Sequence, residues 1–145
     1  MSIGNDTFET SFSVARWDFA AAGEVASRIK QILRKLGISS ETARRAAVAA
    51  YEAEMNLVIH SQGGTIGLKV DSQRILLTCD DSGPGIPDIG LAMQEGYSTA
   101  PDEVRDMGFG AGMGLPNMKK CADHFQIESD MERGTRIVVA IQLQQ

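Results

Sequence analysis

Phe8, Thr10, Phe12 and Val14 alternate with polar partners, so residues 7–14 predict a half-buried strand. The period then changes. Val25, Ile29, Ile32, Leu33 and Leu36 fall on one helical stripe, which predicts a helix over 20–36 with Gly37 as its stop. Ser39-Ser-Glu41 offers an N-cap to a second, longer helix over 42–60, ended by Gly63-Gly64. That helix is alanine-rich on both sides, the composition of a helix packed against neighbours. Residues 65–70 and 74–79 predict two strands joined by Asp71-Ser-Gln73, a connection of hairpin length. A short helical stretch at 89–94 follows a glycine turn. The segment 96–114 has many glycines and no apolar period, and is long enough to suspect a functional loop. Residues 115–125 predict a helix, and 126–130 and 135–142 two strands joined around Glu132-Arg-Gly134.

The resulting order, β-α-α-β-β-α-α-β-β, has too many hairpins for a parallel dinucleotide-binding sheet. It predicts a single α+β domain over residues 1–145, a two-layer sandwich with a mixed β-sheet and helices on one face. A length of 145 residues agrees with one domain. Hydrophobic content of 43% and charged content of 23% are those of an ordinary globular chain. The net charge of -5 argues against nucleic-acid binding, which needs clustered cations to displace phosphate counterions. The apolar runs are shorter than a bilayer span and the first residues lack a signal pattern, so no membrane partner and a cytoplasmic location are expected. Cys79 and Cys121 lie in apolar stretches without CxxC spacing and are expected as buried free thiols.

Three separated segments carry the candidate chemistry. In Glu52-Ala-Glu54-Met-Asn56 a carboxylate and an amide stand four residues apart, on one helix face, with Glu54 turned away toward solvent. A carboxylate on such an apolar helix is costly unless it works or is paired. Asn56 offers the hard, neutral oxygen that suits Mg²⁺. In Asp81-Ser-Gly-Pro-Gly85 an acidic residue enters a glycine turn straight after the apolar run 75–79. A carboxylate there can accept an exocyclic amine while glycine lets a flat base approach the backbone. Asp80 is the alternative acceptor. In the third segment Gly108, Gly110, Gly112 and Gly114 recur at every second position before Leu115, and amides opening a helix bind phosphate. No strand and no βαβ unit frames these glycines as a Rossmann fingerprint, and no Walker A lysine is present. Each segment alone has a plainer reading: a solvated glutamate, a backbone-satisfying asparagine, a turn.

In this order the three segments resemble the N, G1 and G2 boxes of the GHKL ATPases, and the resemblance extends from about Phe8 to about Leu143. Asp81-Ser-Gly-Pro-Gly-Ile-Pro-Asp88 keeps register throughout. Within that superfamily the chain is similar to the anti-sigma-factor serine/threonine kinases of bacterial partner-switching modules. Glu95-Gly-Tyr-Ser-Thr99 and Gly114-Leu-Pro-Asn-Met-Lys-Lys120 resemble the stress-signalling switch kinases in particular, although the stretch 99–110 is longer here. The resemblance implies a Bergerat-type sandwich with a mobile ATP lid at 96–114. It implies ATP and Mg²⁺, with Glu52 polarising the nucleophile and Asn56 holding the metal. It also implies nucleotide contacts from Asn56, Asp81, Gly83, Gly85, Ile86, Gly110, Ala111, Gly112, Met113, Gly114, Leu115 and Thr135. The implied substrate is a Ser or Thr on a STAS-domain protein, with a sigma factor or other effector as a further partner and a homodimer as a candidate assembly. The competing reading is a nucleotide-gated binding module with little turnover. Ser98 and Thr99 are read as capping residues rather than phosphorylation sites. His60 and His124 stand outside any histidine-kinase dimerisation pair, so both are expected to be structural.

Overall fold

The computed structural model describes residues 7–16, 18–60, 63–81, 93, 114–130 and 134–143. The alternating segments become strands β1 (Phe8–Val14), β2 (Gly64–Val70), β3 (Arg74–Asp81), β4 (His124–Asp130) and β5 (Gly134–Gln142). They form one sheet in the order β1-β2-β3-β5-β4. Asp71 holds the β2–β3 turn, its Oδ1 accepting from Gln73 N at 2.7 Å and Arg74 N at 2.9 Å. Those two bonds, with smaller help from neighbouring cations, keep the Asp71 carboxyl below its usual range.

Every neighbouring pair is antiparallel, so the expected mixed sheet is corrected. The reason is topological. β4 runs in the same direction as β3, and β5 turns back between them. No two parallel strands become neighbours.

The helical periods become α1 (Glu24–Lys35), α2 (Ser40–His60) and α3 (Gly114–Cys121). α1 starts later than the expected residue 20, because the amides that open it are gathered at Gly23 by a distant carboxylate described below. It ends as expected: Gly37 takes φ 86°, its N–H donates to Arg34 O, and Ile38 N–H donates to Leu33 O. This double closure satisfies the last carbonyls and tucks Ile38 into the core. Ser39 caps α2, its Oγ accepting from Thr42 N at 3.3 Å. α3 stops at Cys121 rather than 125, and β4 begins at His124. Phe125 and Ile127 take strand alternation because they sit opposite Val139 and Ile137. His124 is therefore an exposed strand residue, not a helix end. The expected helix at 89–94 lies outside the described residues apart from residue 93.

α2 lies across β1, β2, β3 and β5, α3 across β4 and β5, and α1 packs on α2. Buried Ala43, Ala46, Ala49, Ala50 and Ala53 let the neighbours approach α2 closely. Ile66, Leu68 and Val70 of β2 face Cys79, Leu77 and Ile75 of β3, which continue to Ile137, Val139 and Ile141 of β5. All of these are buried, whereas Glu9, Lys69, Arg136 and Glu128 on the other face are exposed. At one end of the covered face the apolar rows give way to Val14, Gly64, Asp81, Thr135 and Ser129, side by side across all five strands.

Candidate functional site

The period of two that buries Ile75, Leu77 and Cys79 carries Asp81 onto the same covered face. Its Oδ1 accepts the backbone N–H of Thr135, the second residue of β5, at 2.8 Å. Thr135 is only 5% exposed, and its Oγ1 lies 3.1 Å from Ser129 Oγ on β4. Asp80 points to the open face and meets Arg136 at 3.7 Å, an exposed pair of small energetic weight. The two adjacent carboxylates thus have different work, and only Asp81 looks into the layer between sheet and helices.

Gly64 makes this position of Asp81 accessible. A Cβ built on Gly64 would run into Asp80 O and come within 2.9 Å of Asp81 Cα. Only a residue without a side chain lets β2 and β3 close at this end.

α2 meets the same end of the sheet. Cys79 Sγ lies 3.8 Å from Ala53 O, which sets the turn holding residues 52–56 above β3. From that turn Glu52 and Asn56, four residues apart, leave on one side of the helix and Glu54 on another. Glu52 turns toward α3 and accepts a hydrogen bond from the Asn117 side chain. Burial raises the Glu52 carboxyl above its usual range, and the Asn117 bond opposes that to a smaller degree. Asn56, one turn on, is half-buried.

Glu54 departs from expectation: it is not solvated but 2% exposed. Its carboxylate accepts from Gly23 N at 3.0 Å, Val25 N at 3.3 Å and Ala26 N at 3.2 Å. The first turn of α1 receives no side-chain cap from its own Gly23, so a carboxylate from α2 supplies one. The amides lie some thirty residues away in sequence (|i−j| = 31 for Gly23), so no local pattern around Glu54 announces them.

α3 opens at Gly114 and Leu115, directly after the glycine series, and Pro116 in its first turn has no N–H to lose. Of the other expected contacts, Gly83, Gly85, Ile86, Gly110, Ala111, Gly112 and Met113 lie outside the described residues, as does the 96–114 lid before Gly114. Ser98 and Thr99 lie there too. The helix holding His60 is described, its side chain is not.

Two residues with a place in this site, Asn117 and Ser129, had no role in the sequence reading. Asn117 stands in the quoted Gly114–Lys120 stretch, where an amide on the first turn was the available signal. Ser129 becomes visible only through the β4–β5 register.

The cysteines are both free. Cys79 is buried and its thiol is pushed up to about 12, first by burial and then by the charges of Asp81 and Asp80. Cys121 is half-buried rather than buried, and burial raises its thiol also. Among the described residues no three His, Cys, Asp or Glu side chains cluster to hold a metal. Asn56 offers one neutral side-chain oxygen, a donor of the type that Mg²⁺ accepts alongside phosphate and water.

Residues 41–145 match the family described as histidine kinase-, DNA gyrase B- and HSP90-like ATPase. The chain is 30% identical over 128 residues to serine/threonine-protein kinase RsbT of Bacillus subtilis (strain 168), which covers 86% of this chain and 88% of that protein. It is 31% identical over 96 residues to an anti-sigma F factor of Clostridium kluyveri, covering 63% of this chain and 64% of that protein. An anti-sigma F factor of Clostridium acetobutylicum is 32% identical over 97 residues, with the same coverage.

Proposed function

The chain belongs to the histidine kinase-, DNA gyrase B- and HSP90-like ATPases, and from that membership we propose that it is an ATP-dependent serine/threonine protein kinase and anti-sigma regulatory factor. Its proposed substrate is a Ser or Thr on a STAS-domain antagonist. Similarity to a protein named as a serine/threonine-protein kinase and to others named as anti-sigma F factors supports this reading. A sigma factor as second partner is proposed on the latter names, and a homodimer as the assembly. The cytoplasm, where ATP and such partners meet, is the proposed location. Among the described residues no helix is long and apolar enough to cross a membrane.

One observation carries the reading: Asp81 and Thr135 are joined at the buried end of the sheet, while half-buried Glu52 and Asn56 share one edge of the helix above it. In the proposed mechanism Asp81 accepts the adenine amine, with Thr135 beside it. Asn56 would hold Mg²⁺, which would supply charge neutralisation at the phosphates. The first amides of α3 and the glycines before it bind phosphate oxygens. Glu52 orients the incoming hydroxyl and takes its proton as the oxygen bonds to the γ-phosphorus; the bond to the β-phosphate oxygen breaks and ADP leaves. A carboxyl raised by burial is a better proton acceptor than an ordinary glutamate. Incubation with γ-labelled ATP and STAS-domain proteins should put label on a Ser or Thr of the partner. Nucleotide-dependent partner binding without label would favour the binding-module reading instead.

A further inference from the structure

Ser129 sits on edge strand β4 directly opposite Thr135, the two hydroxyl oxygens 3.1 Å apart. The Thr135 backbone N–H already donates to Asp81. The direction of the hydroxyl–hydroxyl bond therefore decides what the Thr135 side chain offers next to that carboxylate. A hydroxyl has one proton to give and two lone pairs. Were Thr135 to donate to Ser129, it would present only lone pairs, leaving two acceptors side by side. With Ser129 donating, Thr135 keeps its own proton, and the site presents an acceptor beside a donor. Adenine's hydrogen-bonding edge has the amine donor at N6 and an acceptor at N1, which fits the second arrangement and not the first.

We propose that Ser129 is a positioning residue for base selection: its Oγ–H donates to Thr135 Oγ1 and so aims the Thr135 proton at adenine N1. Ser129 touches Thr135 and acts through it. The donated bond also polarises the Thr135 hydroxyl, which strengthens the bond it gives onward. This inference rests on the nucleotide reading above and adds to it the residue that fixes the sense of the hydrogen bond at N1.

The test is calorimetric titration of the full chain, with Mg²⁺, using ATP and 1-deaza-ATP, in which a C–H replaces N1 and the N6 amine is kept. Wild-type protein should bind ATP roughly tenfold more tightly than 1-deaza-ATP, the worth of one hydrogen bond. Ser129→Ala should lower ATP affinity about 3- to 10-fold and leave 1-deaza-ATP affinity unchanged. Ser129→Thr, which keeps the hydroxyl, should restore the ATP value. Equal losses for both nucleotides would mean a general disturbance of the β4–β5 end, and no loss would mean no role; either result overturns the proposal. Asp81→Asn is the separate check on the site, since it should weaken both nucleotides alike. If the wild-type chain binds neither, the nucleotide reading itself fails, and this inference with it.

Discussion

Glu52 and Asp81 are both carboxylates at this end of the fold, but their surroundings set them different tasks. Asp81 spends one oxygen on the Thr135 amide, whereas burial lifts the Glu52 carboxyl and Asn117 moderates that lift. Asp81→Asn should weaken ATP binding by about 10- to 100-fold, the loss of a bond to a charged acceptor, because its new NH₂ would face the adenine amine. Calorimetry giving an unchanged affinity would remove Asp81 from the base contact. Glu52→Gln should bind ATP normally and transfer phosphate roughly 10²- to 10⁴-fold more slowly. The raised carboxyl also has a sign. A protonated Glu52 cannot take a proton, so transfer should fall as pH drops, and the fall should begin at a higher pH than for an ordinary glutamate. Asn117→Ala removes the influence that lowers the carboxyl and should shift this acid limb further upward. A pH–rate profile identical to wild type would show that Asn117 does not tune Glu52.

Among the elements, α1 depends on its neighbour most plainly. Its first amides converge on Glu54 of α2, so Glu54→Gln should destabilise the fold by about 1–3 kcal/mol, through lost charge and an NH₂ set against one or two of the three amide donors. Urea unfolding checks this: an unshifted midpoint would mean that water serves the α1 amides equally well. The β2–β3 pair offers a steric counterpart. Gly64→Ala should lower both stability and ATP affinity, because its Cβ would press on the backbone holding Asp81, while Gly67→Ala, whose Cβ meets nothing closer than 3.8 Å, should leave ATP binding intact. These elements also divide what was readable in the chain from what was not. Alternation in 7–14, the strand pattern of 135–142 and the alanine-rich 42–60 stretch are local patterns, and the elements followed them. The true start of α1 and the burial of Glu54 depend on one contact between residues far apart in sequence. Propensity extended the third helix to 125; the pairing of Phe125 with Val139 claimed that residue for β4.

Across the whole molecule, the candidate site is assembled from segments that only the sheet order brings together. Asp81 stood out by its place before the Gly83 and Gly85 turn and Thr135 only through the resemblance, and their joining needs β5 to lie next to β3 although β4 precedes it in the chain. Ser129 carried no such spacing and required the register itself. A nucleotide held on these residues would bind the folded chain and not the unfolded one, so it should stabilise the entire domain. At a hundred times its dissociation constant that linkage is about 2.7 kcal/mol. For a domain of this size it corresponds to a rise in Tm of roughly 5–10 °C. The variants should separate binding from chemistry. Glu52→Gln should keep the full rise with Mg²⁺ and ATP, since the role proposed for Glu52 is on the hydroxyl rather than the base. Asp81→Asn at the same ATP concentration should lose most of it, even if its ligand-free Tm is unchanged. Thermal scans in which Glu52→Gln loses the rise while Asp81→Asn keeps it would reverse the two assignments and move the base-binding end of the site from the sheet to the helix.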